Sequence, residues 1–146
     1  MPSFMAMALR QAQAAGAAGE VPIGCVIVRG DALVAAAGNR TITDRHPTAH
    51  AELLAIRAAA AALGSERLID CDLYVTLEPC AMCAAAISFA RVRSLYFGAA
   101  DPKGGAVEHG PRFFQQPTCH HAPEIIGGVG EAKASELLKA CFSARH

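Results

Sequence analysis

Two short stretches of the sequence hold residues whose types and spacing could do chemistry together. In LEPCAMCAAAISFAR, residues 77–91, Cys80 and Cys83 stand three positions apart directly behind Glu78 and Pro79. At a helix start that spacing projects both sulfurs to one side, and the N–H groups there stabilise thiolates. Such a pair can be half of a structural zinc knuckle, a redox dithiol, or two ligands of a working metal. A structural site takes four ligands, often from a second pair of the same kind, and the sequence has no second C-x-x-C. Cys71 falls at the far end of the strand expected before Cys80, roughly 20 Å away at the rise of an extended chain. Cys25, Cys119 and Cys141 are isolated in sequence and read as small buried hydrophobes.

The third ligand comes from TAHAELLAIR, where His50 stands at the start of an expected helix with Glu52 two residues on. One histidine and two cysteines leave a fourth tetrahedral position for water, the pattern of a catalytic rather than a structural zinc. Two thiolates weaken the ion as a Lewis acid, so a nearby base is needed. A carboxylate that is not itself a ligand can take the proton and deliver it to a leaving group. Glu52 is placed for that work. H-A-E followed after a spacer by P-C-x-x-C is the zinc-deaminase signature.

The elements that must position these residues can be read from periodicity. Phe4, Met5, Ala8, Leu9, Ala12 and Ala15 recur at helical spacing until Gly16 and Gly19. IGCVIVRGDALVAAAG reads as a strand, a turn around Gly30 and Asp31, and a returning strand. AHAELLAIRAAAAALG is helical and stops at Gly64; DLYVTL is a short buried strand; CAMCAAAISFAR is a second helix with Pro79 just before it. SLYFGA and EIIGGV read as strands, GEAKASELLKACFSAR as a closing helix, and residues 101–123 as a long loop with a short helix near 112–115. Strands alternating with such helices imply α/β layers. Sites in such sheets lie where strands end and helices begin, and both stretches fall there.

Composition bounds the rest. The 146 residues suit one domain, 53% apolar and 18% charged, with 13 basic and 13 acidic side chains and no net charge. No apolar run approaches the ~20 residues of a membrane span, and no signal peptide is indicated. The six cysteines are therefore expected in a reducing, cytoplasmic setting, where thiols serve packing, metal or catalysis.

Beyond the zinc motif, the sequence resembles the cytidine-deaminase-like superfamily and, more closely, the bacterial tRNA-specific adenosine deaminases of TadA type. The resemblance runs over nearly the whole chain: EVPIGCVIV at 20–28, GNR at 38–40, PTAHAE at 47–52, RLIDCDLYVTLEPCAMCAAAI at 67–87 and YFGAADPKGGA at 96–106. It implies a three-layer α/β/α sandwich around a five-stranded mixed sheet, one zinc per subunit and a homodimer. It implies hydrolytic conversion of the wobble adenosine in the anticodon stem-loop of an arginine tRNA to inosine, with release of ammonia. Carried across by matching motif, His50, Cys80 and Cys83 are the ligands and Glu52 is the proton shuttle. Asn39 reads the purine edge, Ala51 lends a backbone group to the base, and Asp101 and Lys103 contact the RNA sugar and backbone.

On residue type alone, Asn39 reads first as an ordinary loop or turn asparagine, and Asp101 and Lys103 as a solvated loop. The sequence departs from the family pattern at Ala85, where relatives carry glycine, and at Ala100, where many carry a basic residue. Its end holds only Lys139, Arg145 and His146 in place of a long basic tail. Thr118, Cys119, His120 and His121 read as a polar loop lining an RNA groove rather than a second metal site. The competing enzyme is a deaminase of a free nucleobase or nucleoside, of guanine or cytosine type. A zinc-bearing RNA-binding subunit is the competing non-enzyme, and it would have no use for Glu52.

Overall fold

The structure, a computed structural model, describes residues 3–144. The tail residues Arg145 and His146 lie outside the described residues. Helix α1 (Phe4–Ala17) is capped by Ser3, whose Oγ accepts the Ala6 N–H at 3.0 Å. Strands β1 (Gly24–Arg29) and β2 (Ala32–Gly38) form the expected hairpin, with a bulge between Ile27 and Val28. Then come α2 (Ala51–Leu63), β3 (Cys71–Leu77), α3 (Ala81–Phe89), β4 (Ser94–Ala99), a 3-10 turn (Phe113–Gln115), β5 (Glu124–Ile126) and α4 (Glu131–Ala144).

The sheet is mixed, in the order β2-β1-β3-β4-β5. β1 runs antiparallel to both β2 and β3, while β3, β4 and β5 are parallel. The hairpin turn at Gly30 and Asp31 reverses the chain, so β1 opposes its neighbours; crossovers through α3 and the long loop keep the rest parallel.

Alternation along the strands sorts side chains between two cores. Cys25 and Ile27 of β1, Leu73 and Val75 of β3, and Leu95 and Phe97 of β4 pack with Ala51, Ala55, Ala59, Ala84 and Ile87 of α2 and α3. Val26, Tyr74 and Tyr96 face the other way, against α1 and α4. Tyr74 and Tyr96 stack there with ring centres 4.4 Å apart. Three layers result, α1 and α4, the sheet, then α2 and α3, as the resemblance implies. The alanine-rich α2 lies close on the sheet because methyl groups are all that separates them. Gly24 does the same for α1: a Cβ there would stand 2.0 Å from the Ala8 carbonyl oxygen.

Two helix ends refine the sequence reading. Gly64 closes α2 with φ 65°, as expected. α3 is shorter at both ends than its pattern: Cys80 is its N-cap rather than its first turn. Arg91 ends it in a left-handed conformation, φ 60°, its N–H returning to the Ser88 carbonyl at 3.0 Å.

Candidate active site

The register brings one end of each central strand to a common edge. Gly38 ends β2 opposite Gly24, and Leu77 of β3 pairs with Ala99 of β4. The residues that follow those strand ends are Asn39, the Glu78-Pro79-Cys80 turn and Asp101. α2 and α3 lie on the same face of the sheet with their N-termini at this edge, which carries His50 to the cysteines.

His50 and Cys80 are both N-cap residues in extended conformation, and neither side chain caps its own helix. Their backbone carbonyls accept the first helical bonds, from Leu54 N–H at 3.0 Å and Ala84 N–H at 2.8 Å. Both side chains are thereby left to point across the gap. His50 Nδ1 lies 3.7 Å from Cys80 Sγ and 3.5 Å from Cys83 Sγ, and all three ligand atoms fall within 4.8 Å of one another. Bonds of about 2.0–2.1 Å to nitrogen and 2.3 Å to sulfur separate such atoms by roughly 3.5 Å across a tetrahedral zinc. The donor set fits that ion in spacing and in chemistry. Among the described residues no other histidine, cysteine or carboxylate joins this group, so the chain would offer an ion three ligands.

The thiols behave as a pair. The Cys80 thiol is drawn down to about 5, first by its hydrogen bond with Cys83, against burial, and then by the N–H groups of Cys83 and Met82 at the helix start. Cys83 is pushed up, by the same shared proton and by burial. Two close sulfurs share one proton, and a divalent cation in its place satisfies both.

Glu52, in the first turn of α2, is 4% exposed. Burial raises its carboxyl to about 7, its own backbone N–H opposes this, and the charge at Cys80 adds to it. A carboxyl that titrates near neutrality can both accept and donate a proton. Cys25 is fully buried in the sheet behind this group, its thiol raised by burial and then by Glu52. It stays a packed thiol. Cys71 donates to the Ile69 carbonyl at 3.6 Å at the opposite end of β3, as the strand-length argument requires.

The remaining sequence candidates line the same edge. Asn39 is 6% exposed, and its N–H donates to the Ile23 carbonyl at 3.1 Å. The next N–H, of Arg40, donates to the Ala49 carbonyl at 2.9 Å, tying Asn39 to the residue before His50. Ala51 opens α2, so its N–H is one of the donors that a helix start leaves free. Asp101 folds back, accepting from Lys103 N–H at 3.3 Å and Gly104 N–H at 2.9 Å, and Lys103 is exposed.

Thr118–His121 does not join them. His121 Nε2 bonds the Val92 carbonyl at 2.8 Å and Cys119 Sγ the His121 carbonyl at 3.2 Å. Val92 precedes β4, so this segment sits at the edge opposite the metal group. The loop needed after the 3-10 turn to re-enter the sheet as β5 carries it there.

Residues 2–99 match the cytidine and deoxycytidylate deaminase zinc-binding region. The chain belongs to that deaminase family. Within the family it is 59% identical, over 95% of its length and 91% of the relative's, to a tRNA-specific adenosine deaminase of Agrobacterium fabrum. It superposes with a TM-score of 0.91 and 60% identity on a structure from work on A-to-I editing by tRNA:A34 deaminases, covering 92% of this chain and 98% of that one. A guanine deaminase from Nitrosomonas europaea shares the fold at 27% identity, TM-score 0.78, over 95% of this chain and 82% of that one.

Two buried glutamates also shape this edge, and their types alone give no sign of it although both lie inside the family motifs. Glu20 and Glu78 are each 2% exposed. Glu20 accepts from Ile42 N–H at 3.3 Å, Thr43 N–H at 2.7 Å and Thr43 Oγ1 at 2.6 Å, fixing the loop that runs from Asn39 to His50. Glu78 does the same for the loop after β4. A glutamate two positions before the first cysteine of the pair was the signal that could have drawn attention to it.

Proposed function

We propose that this chain is a zinc-dependent hydrolase that deaminates adenosine to inosine at the wobble position of a tRNA anticodon, releasing ammonia. The observation that carries the reading is a His50, Cys80 and Cys83 group with a buried Glu52 beside it, in a chain whose relatives are tRNA-specific adenosine deaminases.

His50, Cys80 and Cys83 are the residues that would hold the ion. One zinc per subunit supplies Lewis acidity and makes water a nucleophile near neutral pH. The protein's own contribution is placement and proton transfer. Glu52 takes the proton of the attacking water and returns it to the departing amine, so that the C–N bond breaks with ammonia as the product. Asn39 presents a donor and an acceptor together, which suits the edge of a purine, and the Ala51 N–H offers a further donor. Asp101 and Lys103 hold the sugar and backbone of the strand, in the reading that the substrate is the anticodon stem-loop of an arginine tRNA.

His50 and Cys80 are only partly buried, so the group is reached from the surface. That suits a looped-out base on a polynucleotide better than a free base closed in a pocket. A cytoplasmic homodimer completes the reading. Phe89 and Ile69 are 70% and 54% exposed, and the Leu68 N–H to Ala90 carbonyl bond of 2.7 Å brings their segments together. A second copy would cover this apolar patch.

The test is inosine formation in an anticodon stem-loop, run beside ammonia release from free adenosine, cytosine and guanine. Editing of the stem-loop is expected, with free bases and nucleosides poor substrates. Ammonia from free guanine without inosine in the stem-loop would establish the base-deaminase reading instead.

A further inference from the structure

The loop after β4 is folded around a single buried carboxylate. Glu78 Oε2 accepts from the N–H groups of Val107, Glu108 and His109 at 3.1, 2.9 and 3.1 Å. Its Oε1 accepts from Asp101 N–H at 3.0 Å and meets His109 Nδ1 at 2.8 Å. The carbonyl of Pro79 accepts the Ala106 N–H at 2.9 Å. Gly105 packs so tightly that a Cβ on it would stand 2.5 Å from Glu78 Cδ.

A fully buried charge is costly unless every lone pair is met, and charge-assisted hydrogen bonds fix geometry more tightly than neutral ones. All five donors come from one loop, and the residue that gathers them lies two positions before Cys80. The loop begins at Asp101, whose carboxylate in turn orders the backbone of Lys103 and Gly104. A continuous set of hydrogen bonds thus runs from the metal-ligand turn to Lys103.

We infer that Glu78 is a positioning residue for substrate binding. It locks the 101–109 loop to the Pro79-Cys80 turn, so that Asp101 and Lys103 meet the substrate strand at a fixed distance from the reacting base. The inference rests on the reading that those two residues contact RNA.

Glu78→Gln tests it. The amide oxygen can keep the three donors on the Oε2 side, which turns its NH2 toward the Asp101 N–H. The expected result is stoichiometric zinc, cooperative melting, and a half-saturating stem-loop concentration raised about tenfold, equivalent to about 1.4 kcal/mol. The single-turnover rate at saturating RNA should stay within a few-fold of wild type. Lys103→Ala should add far less in the Glu78→Gln background than in wild type, since the lysine there is already misplaced. His109→Ala removes one donor from a side chain that is 35% exposed; it should shift half-saturation in the same direction by less, and it decides the matter if Glu78→Gln does not fold.

Loss of zinc from a folded Glu78→Gln protein, or a fall in rate at saturation with half-saturation unchanged, would overturn the inference. So would full additivity with Lys103→Ala. A wild-type protein that does not edit the stem-loop would bring down the functional reading, and this inference with it. A wild type that edits normally beside a Glu78 variant unchanged in half-saturation would sink this inference alone.

Discussion

His50 Nδ1 and Cys83 Sγ stand 3.5 Å apart although 33 positions separate them in the chain. Each belongs to the first residues of a different helix, and the sheet edge holds the two helix starts together. Cys80→Ala or Cys83→Ala should therefore lose zinc and activity together, with a lower melting temperature because metal binding adds to stability. Cys25→Ala, Cys71→Ala and Cys119→Ala should keep one equivalent of zinc by metal analysis. Metal loss in Cys71→Ala would contradict its place at the far end of β3.

Glu52→Ala should bind zinc and fold as wild type does, yet lose deamination by about 10²–10⁴-fold or more, the span that positioned proton transfer supplies. Zinc content and single-turnover rate, measured on the same preparation, decide it. A variant that loses metal in step with activity would make Glu52 a ligand.

Asn39 and Lys103 should fail differently. Asn39→Ala should lower the rate even at saturating RNA, because a misplaced ring loses its near-attack geometry. Lys103→Ala should mainly raise the RNA concentration required and flatten its salt dependence by about one unit of slope or less. Single-turnover editing of a stem-loop across a salt series separates the two. A salt-independent rate in wild type would remove Lys103 from the RNA surface.

Glu20 gives a prediction in pH. Burial pushes its carboxyl up, but the donors from Thr43 and Ile42, with the charge of Arg40, outweigh it and hold it below the ordinary 4.5. A folded value below the unfolded one stabilises above 4.5, and that contribution disappears as pH falls through the folded value. Glu20→Gln should thus lower the urea midpoint at pH 7, and its deficit against wild type should narrow as the pH drops below 4.5. An equal deficit at pH 7 and pH 3 would show that the carboxylate's charge is not what holds the loop.

Much of the molecule was legible in its sequence because the relevant signals are local. The period of Met5, Ala8, Leu9 and Ala12 marks α1, Gly64 stops α2, and GD at 30–31 turns the hairpin, since each reflects a preference of the nearby backbone. His50, Glu52, Cys80 and Cys83 were legible for a different reason. Few side chains can bind zinc or shuttle a proton, so their types and spacing restrict the chemistry before any coordinates are known.

The tertiary structure alone decided which strand lies beside which, and therefore that Asn39, Cys80 and Asp101 share an edge while His121 falls at the opposite one. It also decided what Glu20 and Glu78 do. Their partners are mostly backbone N–H groups 22 to 31 residues away. A backbone N–H is the same donor in every residue but proline, so no choice of amino acid at 42, 107 or 108 marks the loop that a distant carboxylate will hold.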